Sequence, residues 1–228
     1  MDTINTDLNR WEPWNPTITV ILKKIRNPVP MYYKQTDWIK VPVFGTPVGY
    51  DLVQGDWVTP YGKGAINDFV FIMTCRFESM TNAEAKYILT FSNPGDGIQI
   101  FVPDESNQSV FKWPFSAPLD GYQPRLEKEE AYLPGQGQRT NIMKDIQYIF
   151  RVRTGQEMGT IRGPLYGKIN GEINISRDGY IDFTYWLNPD GTPNLEHNRD
   201  RNLFDEVRRP QKSLRDILLE RQQQQTQP

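Results

Sequence analysis

Hydrophobic and polar positions alternate with a period of two through residues 165–187, LYGKINGEINISRDGYIDFTYWL. In an extended chain, residues two apart share a face. Leu165, Gly167, Ile169, Gly171, Ile173 and Ile175 therefore form one set, and Tyr166, Lys168, Asn170, Glu172 and Asn174 the other. The pattern breaks at Arg177-Asp178-Gly179 and resumes with Ile181, Phe183, Tyr185 and Leu187 against Tyr180, Asp182, Thr184 and Trp186. Asp-Gly between two alternating runs is a strong hairpin signal, because Gly takes positive φ without steric cost. The segment predicts an antiparallel hairpin with one buried face. Its other face carries two carboxylates, Glu172 and Asp182, and several aromatics. Those residues are either the solvated side of a sheet or part of a binding surface.

The same reading along the chain predicts strands at 17–25, 38–44, 66–79, 86–92, 98–102, 109–113 and 145–154. Pro42 marks the second of these as an edge or a bulge. In the third, Phe69, Phe71, Met73, Cys75 and Phe77 share a side, while Val70 and Ile72 imply that its first half is covered on both faces. Thr81 to Glu84 suggests a brief helical turn, and residues 93–97 a tight turn. Residues 114–143 are rich in Pro and Gly and read as irregular, with one or two helical turns in LEKEEAYL. Near the C-terminus, Ser213 followed by Asp216 resembles a capping box, and Leu214, Ile217 and Leu218 lie at helical spacing before a Gln tract. The organisation expected is an extended lead-in at 1–16, an antiparallel β domain at 17–198, and a linker, short amphipathic helix and disordered tail at 199–228. The fold class is all-β: an antiparallel sandwich or barrel-like single domain.

Composition adds exclusions. Eleven Phe, eleven Tyr and six Trp furnish a core, while eighteen Pro and seventeen Gly divide 228 residues into short segments. A formal charge of −2 argues against a dedicated nucleic-acid binder, whose affinity comes from a basic face. No apolar run approaches the length of a transmembrane helix. One cysteine forms no internal disulfide, and MDTINTDLNRWEPWNP lacks the basic and apolar regions of a signal peptide.

Candidate chemistry is sparse. His197 is the only histidine, so a multi-His metal site is impossible, and its polar neighbours make it a surface residue. Cys75 reads as a small buried side chain. Glu78, Glu84, Asp96, Glu172 and Asp182 could supply the carboxylate pair of a glycosidase, although nothing marks two of them as sharing a cleft. Asn188, Asp190, Asn194 and Glu196 are out of register for an EF-type calcium loop. PGQGQRT, from Pro134, has only two glycines of the dinucleotide fingerprint and reads as a loop. No cofactor or metal is implied. The aromatic candidates are stronger: Trp57, Tyr61, Trp113, Tyr180 and Trp186, with Asp182 beside them, could stack on sugar rings and bond hydroxyls. Against this stands ordinary burial, since covering a Trp stabilises a fold by a few kcal/mol, of order 2–3. Leu214, Ile217 and Leu218 could dock on the chain's own sheet or on a protein partner.

Six segments, GTPVGYDLVQGDWVTPYGKGAINDFVF, LTFSNPGDGIQ, YIFRVRT, LYGKINGEI, FTYWLNPDGTPNLE and RNLF, resemble an uncharacterised group of bacterial proteins over roughly residues 43–204. Members of that group look like exported proteins with no established activity. The resemblance implies an extracytoplasmic setting and carries over no catalytic or binding residue. The expectation is a non-enzymatic β-sandwich module with a binding or assembly role, its partner a glycan or a protein. Two alternatives stay open: a carbohydrate-active enzyme using a carboxylate pair, and an intracellular scaffold docking through its C-terminal helix.

Overall fold

A computed structural model of the chain describes residues 3–12, 24–102, 113–155, 157–158 and 161–208. The chain begins with β1 (Thr3–Asn5) paired to β2 (Arg10–Glu12), followed by β3 (Val29–Gln35) and the short β4 (Ile39–Lys40). Then come β5 (Val48–Asp51), β6 (Asp56–Trp57), β7 (Phe69–Ser79), β8 (Asn82–Thr90) and β9 (Gly97–Phe101). Next are β10 (Arg125–Leu133), β11 (Gly137–Thr140), β12 (Gln147–Val152), and the small pair β13 (Glu157–Met158) and β14 (Ile161–Arg162). The hairpin of β15 (Leu165–Ile175) and β16 (Tyr180–Asn188), then β17 (His197–Asn202) and helix α1 (Leu203–Arg208), complete the described residues.

These strands build two open sheets. One has the order β11-β10-β8-β7-β5-β6; the other runs β17-β3-β16-β15-β12-β9, with β4 also pairing to β16. Neither sheet closes into a barrel. Pairing is antiparallel except for β17, which lies parallel to β3. The two inner faces share one core, in which Phe69 meets Phe150 at 5.0 Å between ring centres and Phe71 meets Phe183 at 6.0 Å. The alternation set by sequence is kept: Ile169, Ile173, Ile175, Ile181, Phe183, Tyr185 and Leu187 all point into it. The Phe69–Phe150 pair is edge-to-face, an arrangement that contributes about 0.5–1.5 kcal/mol beyond burial.

Two buried ionic groups tie the sheets together. At one end Arg153 donates from Nε to Asp68 Oδ1 and from Nη2 to Asp68 Oδ2, both at 2.7 Å, and from Nη2 to Asp51 Oδ1 at 3.1 Å. Toward the other end, Lys128 Nζ donates to Glu172 Oε2 at 2.6 Å, and Glu172 also accepts from Tyr148 Oη and from the backbone N–H of Met143 and Ile173. Glu172 is only 8% exposed, so it faces inward rather than away from the core. The cause is a bulge. Asn170 pairs with Thr184 but Asn174 with Asp182, so three residues, 171–173, oppose Phe183 alone, and Gly171 turns the chain at φ +77°.

Several expected elements differ. No helical turn forms at Thr81 to Glu84, because β8 begins at Asn82 directly after the turn from β7. LEKEEAYL is not helical but strand β10, paired to β8 along eight positions and to β11. Pairing overrides its helix propensity, and Lys128, which looks like a solvated charge, is the buried partner of Glu172. PGQGQRT is a hairpin turn leading into β11 rather than a loop. Of the strand expected at 38–44 only Ile39–Lys40 forms, after Asp37 and Trp38 take positive φ. The row on β7 is buried at Phe69, Phe71 and Met73 and emerges at Phe77, which is exposed. The expected strands at 17–25 and 109–113 lie wholly or mostly outside the described residues, as do Leu214, Ile217 and Leu218.

Candidate functional site

The outer face of the second sheet is partly roofed. Residues 113–123 cross it and are pinned at both ends by backbone hydrogen bonds. Leu195 N–H donates to the Phe115 carbonyl at 2.9 Å, Ala117 N–H to Pro193 at 2.7 Å, and Gln123 N–H to Ile98 at 2.9 Å. Ala117, Ile149, Tyr166 and Leu195 form a second small core beneath this roof. Outward residues of β12 and β15 are thereby buried, which explains Pro- and Gly-rich sequence that carries little regular structure yet is firmly attached.

At the margin of the roof a cleft of about 240 Å³ opens. Its aromatic walls are Trp113 and Phe115 from the roof and Trp186 from β16. Its floor is Lys168 on β15, only 7% exposed. Lys168 Nζ donates to the Leu195 carbonyl at 2.8 Å and lies 5.1 Å from the Trp113 ring centre and 5.4 Å from that of Trp186. Burying an ammonium costs several kcal/mol. A charge-assisted hydrogen bond of about 1.5–3 kcal/mol and two indole faces at about 0.5–2 kcal/mol each offset much of that cost.

The position of Lys168 follows from the bulge. The register nearest the turn pairs Asn174 with Asp182; carried on unbroken, it would set Asn170 opposite Trp186. The bulge at Gly171 advances the pairing by two residues, so Lys168 takes that place. On the other side of β16, Trp186 pairs with Tyr33 and stacks on it at 5.0 Å. His197 on β17, paired with Val29, packs its ring against both, 5.8 Å from Trp186 and 6.1 Å from Tyr33. Lys168, Trp186 and Tyr33 thus form a single line across three adjacent strands, with the His197 ring packed against its two aromatics.

The lining is rich in charged side chains. Among its described residues Lys24, Lys168 and Arg199 stand against one acid, Glu196. Both Glu196 oxygens are engaged by backbone, accepting from Arg26 N–H at 2.8 Å and Asn27 N–H at 3.0 Å. Burial, then the Lys168 and Arg199 charges, push His197 down to about 4, so its imidazole is neutral near pH 7, with one donor and one acceptor nitrogen. Asn170 adds an amide at the margin. Among the described residues the buried Trp186 indole N–H has no hydrogen-bond partner, an orphan of the kind that bound ligands satisfy.

Of the six candidates read from sequence, the cleft gathers two, Trp113 and Trp186. Trp57 is 6% exposed and packs edge-on against Tyr50 and Phe71, inside the core. Tyr61 is 47% exposed and follows β6, in the first sheet. Tyr180 and Asp182 share the face of Trp186 but lie toward the other end of β16, Tyr180 about 20 Å away at strand rise. There the Lys40 ammonium sits 4.6 Å from the Tyr180 ring centre, and Thr36 Oγ1 donates to Asp182 at 3.1 Å. His197, expected at the surface, is half-buried against the aromatic row. Burial pushes the Cys75 thiol up to about 11.

Sequence reasoning missed Lys168, Lys24 and Arg199. Only Lys168 had a usable signal, as a cation on the face shared with Trp186. None of Glu78, Glu84, Asp96, Glu172 and Asp182 lines the cleft. Asp96, for example, accepts from Arg153 and Thr154 N–H groups at 3.0 and 2.8 Å, holding the turn before β9. Among the described residues no group of three or more His, Cys, Asp or Glu could hold a metal ion, and no helix is long and apolar enough to cross a membrane.

The chain is thus an all-β, sandwich-like protein with an aromatic cleft, lined in part by basic side chains, on its outer face. Compared with protein-family models, curated proteins and solved structures, it has no match.

Proposed function

We propose that this protein is a non-enzymatic binding module and that the cleft between Trp113 and Trp186 receives a glycan. The observation that carries this reading is the pairing of indole walls with polar groups at the rim. Apolar C–H faces of a sugar pack on Trp rings, while Asn170 and the neutral His197 imidazole suit hydroxyl groups, which both donate and accept. The volume of about 240 Å³ lies below the roughly 300–1,000 Å³ of drug-sized sites, which suits about one sugar ring of a longer chain. The resemblance over residues 43–204 implies an exported protein, a setting in which a module would meet polysaccharide.

Affinity electrophoresis through gels containing soluble polysaccharides or cell-wall fragments tests the reading. At least one glycan should retard the native chain. Trp186→Ala, checked for an unchanged far-UV circular dichroism spectrum, should run as though no glycan were present. Asn170→Ala, at an exposed position, should weaken retardation without touching the core. A full panel with no retardation overturns the proposal.

A further inference from the structure

Resting on the glycan reading of this cleft, we infer that the cleft is one of two adjoining sugar subsites, and that Asn170, Thr184 and Gln35 form the second. The ligand is then a chain of sugars lying across the strands, not a single ring. Two rows of side chains run side by side over the outer face of β15, β16 and β3. One is Lys168, Trp186 and Tyr33; the next is Asn170, Thr184 and Gln35, each paired with its neighbour across the sheet. The bulge at Gly171 sets both rows, because the same advance in register that brings Lys168 to Trp186 brings Asn170 to Thr184. With strands about 4.8 Å apart, the second row spans roughly 10 Å from β15 to β3, more than one sugar ring. Asn170 also lines the cleft, so the two subsites are continuous.

An ordinary solvated sheet face looks different, and the same molecule supplies one. On the outer face of the other sheet Lys86 and Arg125 both pair with Glu127, and Arg139 pairs with Glu129. Those charges satisfy one another. The row of Asn170, Thr184 and Gln35 instead carries a hydroxyl between two amides, and among the described residues none of the three side chains hydrogen-bonds another protein group. Amides and hydroxyls both donate and accept, as sugar hydroxyls do, and they lose their water at less cost than ions. Farther along β16 the face changes. Asp182 is a carboxylate already accepting from Thr36 Oγ1 at 3.1 Å, and the pairing of β16 with β3 stops at Gln35, resuming only at Ile39 on β4. The row is bounded there, so the sugar chain crosses the strands and does not follow β16 toward Tyr180.

Isothermal titration calorimetry with the full chain tests this. The probes are size-fractionated oligomers, monosaccharide to hexasaccharide, released from the polysaccharide that retards the protein most in the electrophoresis panel. Affinity should rise at least about tenfold from monosaccharide to trisaccharide, the return of two or three neutral hydrogen bonds, and then level off. The double variant Gln35→Ala/Thr184→Val changes an exposed and a partly exposed side chain. With an unchanged circular dichroism spectrum, it should bind the trisaccharide about tenfold more weakly. Tyr180→Ala should bind it as the native chain does. Equal affinity across the size series, or a loss caused by Tyr180→Ala and not by the double variant, overturns the inference and leaves the glycan reading standing. A blank electrophoresis panel overturns both.

Discussion

Replacing Arg153 by Met removes the cation that fastens one end of the sandwich while keeping most of the side-chain volume. Arg153 follows β12 at φ +60° and reaches Asp68, just before β7, and Asp51, at the end of β5. It therefore joins the two sheets. Asp51 survives the change with its charge compensated, because its oxygens also accept from the N–H groups of Val53, Gln54, Ala65 and Ile66 at 2.9 to 3.1 Å. Asp68 does not. It is fully buried and would retain the Leu52 N–H at 2.9 Å after losing both guanidinium bonds. Burial already raises its carboxyl, and Arg153 is the chief influence holding it down. Removing one partner of such a pair costs about 3–5 kcal/mol, a large share of the roughly 5–15 kcal/mol by which domains are stable. Urea unfolding followed by Trp fluorescence and circular dichroism measures the loss by linear extrapolation. The double variant Arg153→Met/Asp68→Asn should be more stable than Arg153→Met alone, since it removes the orphaned charge. A loss under about 1 kcal/mol for Arg153→Met, or no recovery in the double variant, would refute the role assigned to this clamp.

Three further outcomes follow from the same packing. Gly167→Ala would set a methyl 2.2 Å from Phe150 Cζ and 2.5 Å from the Trp186 carbonyl oxygen, so a loss of about 1–3 kcal/mol should appear in urea unfolding. Gly171→Ala meets no atom within 4 Å but retains φ +77°; it should cost about 1–2 kcal/mol, and a neutral result would show that the bulge does not depend on glycine. His197 titrates near 6.5 when unfolded and near 4 when folded, so the unfolded chain binds the extra proton between those values. Stability should then be full above pH 6.5 and fall by about 1–2 kcal/mol toward pH 4, allowing for partial solvent screening. His197→Phe should flatten that part of the profile, and an unchanged slope contradicts the depressed titration.

The period-two pattern located the longest strands because each had one face to bury. Ile181 through Leu187 alternate cleanly and lie in the core as expected. The pattern failed where pairing, not burial, made the strand. β10 carries five charges among nine residues, and its partner for Lys128 is Glu172, 44 residues away. Nothing local announces that contact. β3 was missed because VPMYYKQ has a proline at its second position and its place beside β16 and parallel to β17 is a matter of topology. The site was legible by halves. Trp113 and Trp186 were recognisable as aromatics beside a polar face, but their meeting depends on the roof at 113–123. Lys168 depends on the two-residue advance at Gly171, since an uninterrupted hairpin puts Asn170 beside Trp186 instead. The same bulge turns Glu172 inward, which alternation alone assigns to the outer face.

The most direct test of the cleft is a map of the six indole N–H signals in an ¹⁵N-labelled sample titrated with the glycan that gives the strongest retardation. Trp113 and Trp186 should shift together and saturate at one concentration, while Trp57, enclosed in the core, and Trp38, 48% exposed on a distant turn, stay still. Shifts confined to Trp38, or no movement at Trp186 when binding is complete, would contradict a site between the two indoles.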